Sequence, residues 1–170
     1  MPTFTPLHHD LTFLSPLSEE RAARLVTFLA AGDPSTVLDV GCGWGELLLR
    51  VLEAAPGATG TGLDLDEQAL AAGRQAAERR GVAHRARFEA RDARDVHGTV
   101  DAVTCIGASQ IWGPDAEESL PLDYAVALTA LRALLHRGGR LVYGEGVWSR
   151  PPTPEAIAPL AGREDEYVAL

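Results

Sequence analysis

The chain has 170 residues, of which 46% are hydrophobic and 23% are charged, a composition typical of a single folded globular domain. Fifteen basic residues against 24 acidic ones give a formal net charge of −9, which disfavours both nucleic acids and anionic membrane surfaces as partners. All 15 of those basic residues are arginine, and the absence of lysine excludes Schiff-base catalysis. We see no apolar run of the roughly 18 residues that span a bilayer and no signal peptide, and therefore expect a cytoplasmic protein.

The predicted elements alternate between helices and strands. Residues 1–16 are expected to form an irregular arm, and Ser18 is expected to cap a first helix that ends at Gly32. Short apolar runs predict buried strands at 36–40, 59–63, 85–90 and 100–106, and a fifth strand that opens at 140–143 and continues towards Val147.

Helical spacing of apolar residues predicts the intervening helices at 46–55, 67–80 and 123–136. In the last of these, the inward-facing residues are expected to be Leu128, Leu131, Leu134 and Leu135. Gly138 and Gly139 are then expected to form the C-cap and the turn. Thr153 and Pro154 are expected to begin a final helix. Such βαβ units predict an α/β fold, with an open, mostly parallel sheet that is covered by helices on both faces.

A glycine-rich loop between the first strand and the next helix is the main functional signal. Gly41, Gly43 and Gly45 allow a ligand to approach the backbone, and Asp64 follows at the end of the second strand. An acidic residue about 20 positions after such a loop is placed to accept from ribose hydroxyls, although Asp64 could also cap the following helix. The dinucleotide-binding spacing G-x-G-x-x-G would put a glycine where this chain has Glu46.

Five motifs, in order, resemble those of class I S-adenosylmethionine-dependent methyltransferases. They lie at 38–45, 62–66, 91–93, 101–107 and 134–142, so the resemblance covers residues 36–147. It implies a three-layer, doubly wound Rossmann-like sheet of about five strands in the order 3-2-1-4-5, with an N-terminal helix. The domain organisation would be an arm and cap helix at 1–35, a cofactor-binding core at 36–148 and a tail at 149–170.

The resemblance also assigns roles to cofactor-binding residues. The backbone at Gly41, Gly43 and Gly45 would contact the methionine part of S-adenosylmethionine. The ammonium group of that part would lie near Asp39 and near the backbone carbonyls around Ile106 and Gly107. In the nucleoside part of the cofactor, Asp64 would contact the ribose. The adenine would be contacted by Leu65, Asp92 and Ala93.

Methyl transfer from a sulfonium is a one-step displacement, so alignment supplies much of the acceleration and the sequence need not contain a catalytic dyad. The candidates over the pocket are His8, His9, Ser109, Trp112, Tyr143, Glu145 and Trp148, with Glu145, His9 and Tyr143 considered as catalytic groups. No metal site is predicted, because His8 and His9 lack further ligands at suitable spacing. Cys42 and Cys105 are expected to be apolar fillers in a reducing compartment.

The predicted function is methyl transfer to a small-molecule acceptor. Two alternatives remain open: a module that binds S-adenosylmethionine or S-adenosylhomocysteine without turnover, and an oxidoreductase that uses a nicotinamide dinucleotide. Class I methyltransferases usually close the sheet with a further helix and an antiparallel hairpin, whereas residues 166–170 resemble only the start of that helix. We therefore expect the edge of the fifth strand to be available for pairing with a second copy of the chain.

Overall fold

The computed structural model describes residues 11–113, 123–146 and 153–157, and every structural statement below concerns these ranges. The helices are α1 (Glu19–Ala30), α2 (Glu46–Ala54), α3 (Glu67–Arg79), α4 (Tyr124–Ala133) and the short α5 (Pro154–Ile157). The strands are β1 (Thr36–Val40), β2 (Thr59–Asp64), β3 (Ala86–Ala90), β4 (Val100–Ile106) and β5 (Leu135–Gly144). His8, His9, Trp148 and most of the predicted tail lie outside the described residues.

The strands form one sheet in the order β3-β2-β1-β4-β5, and every neighbouring pair is parallel. The predicted strand order and the Rossmann-like α/β fold are thus confirmed. At the carboxyl end of β1, Val40 lies opposite Leu63 of β2 on one side and Cys105 of β4 on the other. The loops that follow these three strands therefore meet at one edge of the sheet, where open α/β sheets bind their ligands.

Two apolar cores cover the two faces of the sheet, as its parallel topology requires. One core packs α2 and α3 against the sheet through fully buried residues such as Leu48, Leu52 and Leu70. The other core packs β4 against α4 through Val103 and Leu131. Both cores are continuous with β1, so the loop that follows β1 is anchored on both sides of the sheet.

The predicted boundary between α4 and β5 is wrong. Helix α4 ends at Ala133, and Gly138 and Gly139 lie inside β5 instead of forming a turn before it. The pairing with β4 shifts register here, because Val100 lies opposite Leu135 while Ala102 lies opposite Arg140. The extra residues form a bulge in which Gly138 adopts a φ of +90°, a conformation that glycine readily takes.

The expected inward face of α4 is also partly wrong. Ala127 and Leu131 are fully buried at a spacing of four residues, whereas Leu128 is 39% exposed. Since adjacent helical residues point about 100° apart, Leu128 lies beside the buried stripe. Leu134 and Leu135 follow the helix, where a strand continues the apolar run. The expected continuation of the fifth strand towards Val147 is wrong as well, because β5 ends at Gly144 and the next two residues are not in a strand. The other predicted elements agree with the structure to within two residues at each end.

No helix in the described ranges is both long enough and apolar enough to cross a membrane.

Candidate cofactor and acceptor site

The loop between β1 and α2 is built on left-handed glycines. Gly41, Gly43 and Gly45 have φ values of +65°, +54° and +69°, a region that other L-residues rarely occupy. The loop is held against the neighbouring strand by two backbone donors: Cys42 N–H donates to Leu63 O at 2.9 Å, and Gly43 N–H donates to Asp64 Oδ2 at 2.7 Å. The loop conformation therefore depends on the end of β2.

Asp64 uses both carboxylate oxygens to order backbone. While Oδ2 accepts from Gly43, Oδ1 accepts from Asp66 N–H at 3.0 Å. The alternative that Asp64 caps the next helix is wrong, because Asp66 is the N-cap of α3 and accepts from the backbone of Gln68 and Ala69. Each carboxylate oxygen can accept more than one hydrogen bond, so Asp64 retains acceptor capacity for a ligand.

A cavity of about 590 Å³ opens beside this loop, and we call it the first cavity. Its volume lies within the roughly 300–1,000 Å³ that is usual for small-molecule sites. Nine of the ten predicted cofactor-binding residues line it: Asp39, Gly41, Gly43, Asp64, Leu65, Asp92, Ala93, Ile106 and Gly107. Gly45 does not line it, because a Cβ atom at Gly45 would lie 2.4 Å from Cε1 of Phe88, in the core.

Asp39 is a buried carboxylate on the wall of the first cavity. Burial, and to a lesser extent the nearby Asp64, raise its pKa to about 7, although hydrogen bonds from the Thr104 hydroxyl and the Leu48 backbone oppose the shift. Among the described residues, no arginine or histidine forms an ion pair with Asp39. A cationic group in the cavity would supply the missing counter-charge.

The first cavity also has apolar lining next to charged groups. Leu65 is 74% exposed at the cavity wall, and Ala93 is buried in the 3-10 turn Ala93–Asp95. Asp92 caps that turn by accepting from Arg94 N–H at 2.8 Å, and its carboxylate also pairs with the Arg94 guanidinium at 2.6 Å. The hydrogen bond from the Arg94 side chain is the main reason that the pKa of Asp92 is lowered.

The segment from Thr12 to Leu17 also forms part of the site, which the sequence reasoning missed. Trp44 Nε1 donates to Thr12 O at 2.9 Å, and the Ser15 hydroxyl donates to Ile106 O at 3.4 Å. The segment thus crosses from the glycine loop to the end of β4. A large aromatic residue at Trp44, inside a loop of glycines, was the one available sign that another segment packs there.

Glu46 lies at the start of α2 and is 8% exposed. Its carboxylate pairs with Arg50 Nε at 2.6 Å and with Arg80 Nη2 at 2.5 Å. The two guanidinium groups compensate the negative charge of Glu46, so this carboxylate would repel a pyrophosphate only weakly. The glycine spacing itself remains the argument against a dinucleotide.

Beyond the Thr12–Leu17 segment lies a second cavity of about 480 Å³, lined by both Tyr143 and Glu145. The buried Ser109 links these two side chains. Its backbone N–H donates to Glu145 Oε1 at 2.8 Å, and its hydroxyl donates to the same oxygen. The Tyr143 hydroxyl lies 2.5 Å from the Ser109 hydroxyl. Trp112, another candidate, packs against the core around Val103 and α4.

Neither cavity shows a metal centre, since the described residues contain no group of three or more His, Cys, Asp or Glu side chains that could hold an ion.

Comparison with known proteins agrees with this geometry. Residues 38–141 match a methyltransferase domain family. The chain is 33% identical over 165 residues to a demethylmenaquinone methyltransferase of Thermus thermophilus, covering 95% of this chain and 67% of that protein. It is also 32% identical over 161 residues to the uncharacterised protein YjhP of Escherichia coli, covering 94% of this chain and 61% of that protein.

Among solved structures, the chain resembles an S-adenosylmethionine-dependent methyltransferase from Thiobacillus denitrificans in complex with S-adenosylhomocysteine. The TM-score is 0.75 at 29% identity, covering 95% of this chain and 62% of that one. The chain therefore belongs to the class I S-adenosylmethionine-dependent methyltransferases, and the resemblance found in its sequence is confirmed. It spans about three fifths of the length of YjhP and of the Thiobacillus enzyme.

Proposed function

We propose that the first cavity binds S-adenosylmethionine and that the chain transfers its methyl group to a small-molecule acceptor. The observation that carries this proposal is the pair of carboxylates, Asp39 and Asp64, at the ends of adjacent strands beside the glycine loop. S-adenosylmethionine carries sulfonium and ammonium cations, a ribose diol and an apolar adenine face. The cavity lining combines acidic groups with the apolar residues Leu65 and Ala93, so its residues fit this molecule.

Each residue type suits one part of the cofactor. Asp39 has no ion-pair partner among the described residues and would face the ammonium group. The backbone carbonyls near Ile106 and Gly107 would face the same group. Asp64 would accept from the ribose hydroxyls while it holds the glycine loop through Gly43. Leu65 would pack on the adenine. The backbone N–H of Ala93 and a carboxylate oxygen of Asp92, two residues of the cavity lining, would contact the edge of the base.

Catalysis by these residues is mostly alignment. When bound, the cofactor supplies a methyl group that is already activated by the positive sulfur. The chain would orient the two reactants. The Thr12–Leu17 segment contributes lining to both cavities, whereas Asp39 lines only the first. The net charge of −9 supports a small-molecule acceptor over a nucleic acid.

Calorimetric titration of the purified protein with S-adenosylmethionine, S-adenosylhomocysteine and NAD tests the proposal. We expect both sulfur compounds to bind, and NAD not to bind, because the glycine spacing does not provide for a pyrophosphate. Binding of NAD alone would overturn the proposal in favour of an oxidoreductase. Binding of both sulfur compounds without formation of S-adenosylhomocysteine from any acceptor tested would favour a binding module without turnover.

A further inference from the structure

Hydrogen bonds join Tyr143, Ser109 and Glu145 beside the second cavity, and the direction of donation along them is defined. The Ser109 hydroxyl has a single proton, which it donates to Glu145 Oε1. The Tyr143 hydroxyl, in contact with the same serine oxygen, must therefore be the donor in that pair. Burial raises the pKa of Tyr143 to about 12, which keeps this phenol protonated and able to donate. The order of donation is Tyr143 to Ser109 to Glu145.

This series of hydrogen bonds leaves Glu145 with one fixed carboxylate oxygen and one available carboxylate oxygen. Oε1 accepts from the backbone N–H and the hydroxyl of Ser109, which fix the carboxylate in place. Oε2 makes no hydrogen bond to the described residues, although Glu145 lines the second cavity. An ionised carboxylate can only accept hydrogen bonds, so a ligand group beside Oε2 must be a donor.

The second cavity adjoins the first, and its lining is partly apolar and partly polar. Leu25, Val142 and Pro16 contribute apolar wall, while Arg21 and Gln110 add polar side chains. The two cavities share the lining residues Leu14, Ser15, Leu17, Ile106, Gly107 and Gln110. A molecule in the second cavity would thus lie next to the cofactor proposed for the first.

We propose that the second cavity binds the methyl acceptor as an apolar molecule bearing a hydroxyl group, and that Glu145 takes the hydroxyl proton through Oε2. This inference rests on the proposed function. The acceptor oxygen forms a bond to the methyl carbon while the carbon–sulfur bond breaks and leaves its electron pair on sulfur. The hydroxyl proton passes to Glu145, so the acceptor leaves as a methyl ether and the carboxylate as a carboxylic acid. Glu145 is then the catalytic residue, and Ser109 and Tyr143 are positioning residues.

The test compares 2-naphthol with its methyl ether, 2-methoxynaphthalene, in which a methyl group replaces the donor hydrogen. Both are titrated calorimetrically into the protein saturated with S-adenosylhomocysteine, so the readout is binding and not turnover. A hydrogen bond to a charged acceptor is worth roughly tenfold in affinity or more, so we expect 2-naphthol to bind about tenfold more tightly than the ether. Equal affinities, or no binding of 2-naphthol, would overturn the inference.

The matched variants are Glu145→Gln and Glu78→Gln. Glutamine can still accept from Ser109, but it can present an amide N–H in place of Oε2, so the preference for 2-naphthol should disappear or reverse. Glu78 is exposed on α3 and away from both cavities, so Glu78→Gln should keep the wild-type preference. A preference that survives in Glu145→Gln would also overturn the inference.

The saturating titration separates this inference from the proposed function. If S-adenosylhomocysteine binds and the naphthol preference is absent, the acceptor assignment fails and the cofactor assignment stands. If S-adenosylhomocysteine does not bind, the cofactor assignment fails. The preference for 2-naphthol, measured on the protein alone, then decides whether Glu145 recognises a hydroxyl group.

Discussion

The backbone N–H of Gly43 donates to Asp64 Oδ2 at 2.7 Å, joining the loop after β1 to the end of β2. These residues are 21 positions apart in sequence, and the parallel pairing of the two strands brings them together. The same carboxylate accepts from Asp66 N–H through its other oxygen. The residue expected to bind the ribose therefore also fixes the loop expected to contact the methionine part of the cofactor.

We expect Asp64→Asn to weaken binding of S-adenosylhomocysteine by about tenfold or more, since it removes a charged acceptor and leaves a single oxygen for two backbone donors. Calorimetry on the purified variant measures this. Asp33→Asn is the matched control, because Asp33 is exposed before β1 and has a φ of +47°, which asparagine tolerates. Wild-type affinity in Asp64→Asn would contradict the assigned role.

Adding a side chain at a left-handed glycine costs stability through backbone strain and, where space is lacking, through steric overlap. Variants at Gly45 and Gly81 distinguish these two costs. Both have positive φ, +69° and +71°, but a Cβ atom would lie 2.4 Å from the Phe88 ring at Gly45 and within 4 Å of nothing at Gly81. Gly81→Ala should lose about 1–2 kcal/mol of unfolding free energy from backbone strain alone. Gly45→Ala should lose at least about 1 kcal/mol more, because the buried ring must move.

Urea unfolding of both variants measures the difference between them. Equal losses would mean that Phe88 relaxes without cost and that packing does not require glycine at position 45. A loss of S-adenosylhomocysteine affinity in folded Gly45→Ala that greatly exceeds its loss of stability would instead restore Gly45 to the binding site.

The sequence predicted most of the fold because the signals were local. Ser18 at the N-cap of α1, the apolar run 36–40 and the breaks at glycine and proline each act within a few residues. The α4–β5 boundary was missed because apolar leucines continue through Leu134 and Leu135 without a break. Whether such a run stays helical or becomes a strand depends on pairing with β4, which is a long-range contact.

The site was predicted less completely, for the same reason. The glycine loop and Asp64 have a recognisable spacing, so their proximity could be inferred. The segment at Thr12–Leu17 could not, because its contacts with Trp44 and Ile106 span 32 and 91 positions. Glu145 was a candidate from its flanking glycines, but its hydrogen bonds to Ser109 join different strand ends and have no sequence signature.

The outer edge of β5 is expected to support a dimer. β5 pairs with β4 on one side and with no strand of the described ranges on the other. An unblocked edge offers free backbone donors and acceptors to a second chain. Light scattering at tens of micromolar should show a dimer, and amide exchange in β5 should slow as concentration rises. A monomer with slow, concentration-independent exchange across 141–144 would contradict this expectation.

The last prediction concerns pH and the buried carboxylate of Asp39. Because burial raises its pKa to about 7, the folded protein binds this proton more tightly than the unfolded chain, whose aspartates titrate near 4. Between about pH 4 and pH 7 the folded state therefore holds more protons than the unfolded state, and the contribution of Asp39 to stability falls as pH rises. Above the folded pKa the contribution no longer changes.

Asp39→Asn removes this titration while keeping an oxygen that accepts from the Thr104 hydroxyl. We expect the stability of Asp39→Asn relative to wild type to increase steadily from about pH 4 to pH 7 and then to level off. Unfolding free energies of both proteins at a series of pH values measure this. If Asp39 binds the ammonium group as proposed, affinity for S-adenosylhomocysteine in the wild type should rise over the upper part of the same range, because the carboxylate becomes ionised there. A constant stability difference between the two proteins would show that Asp39 titrates normally and that its burial does not disfavour the charge.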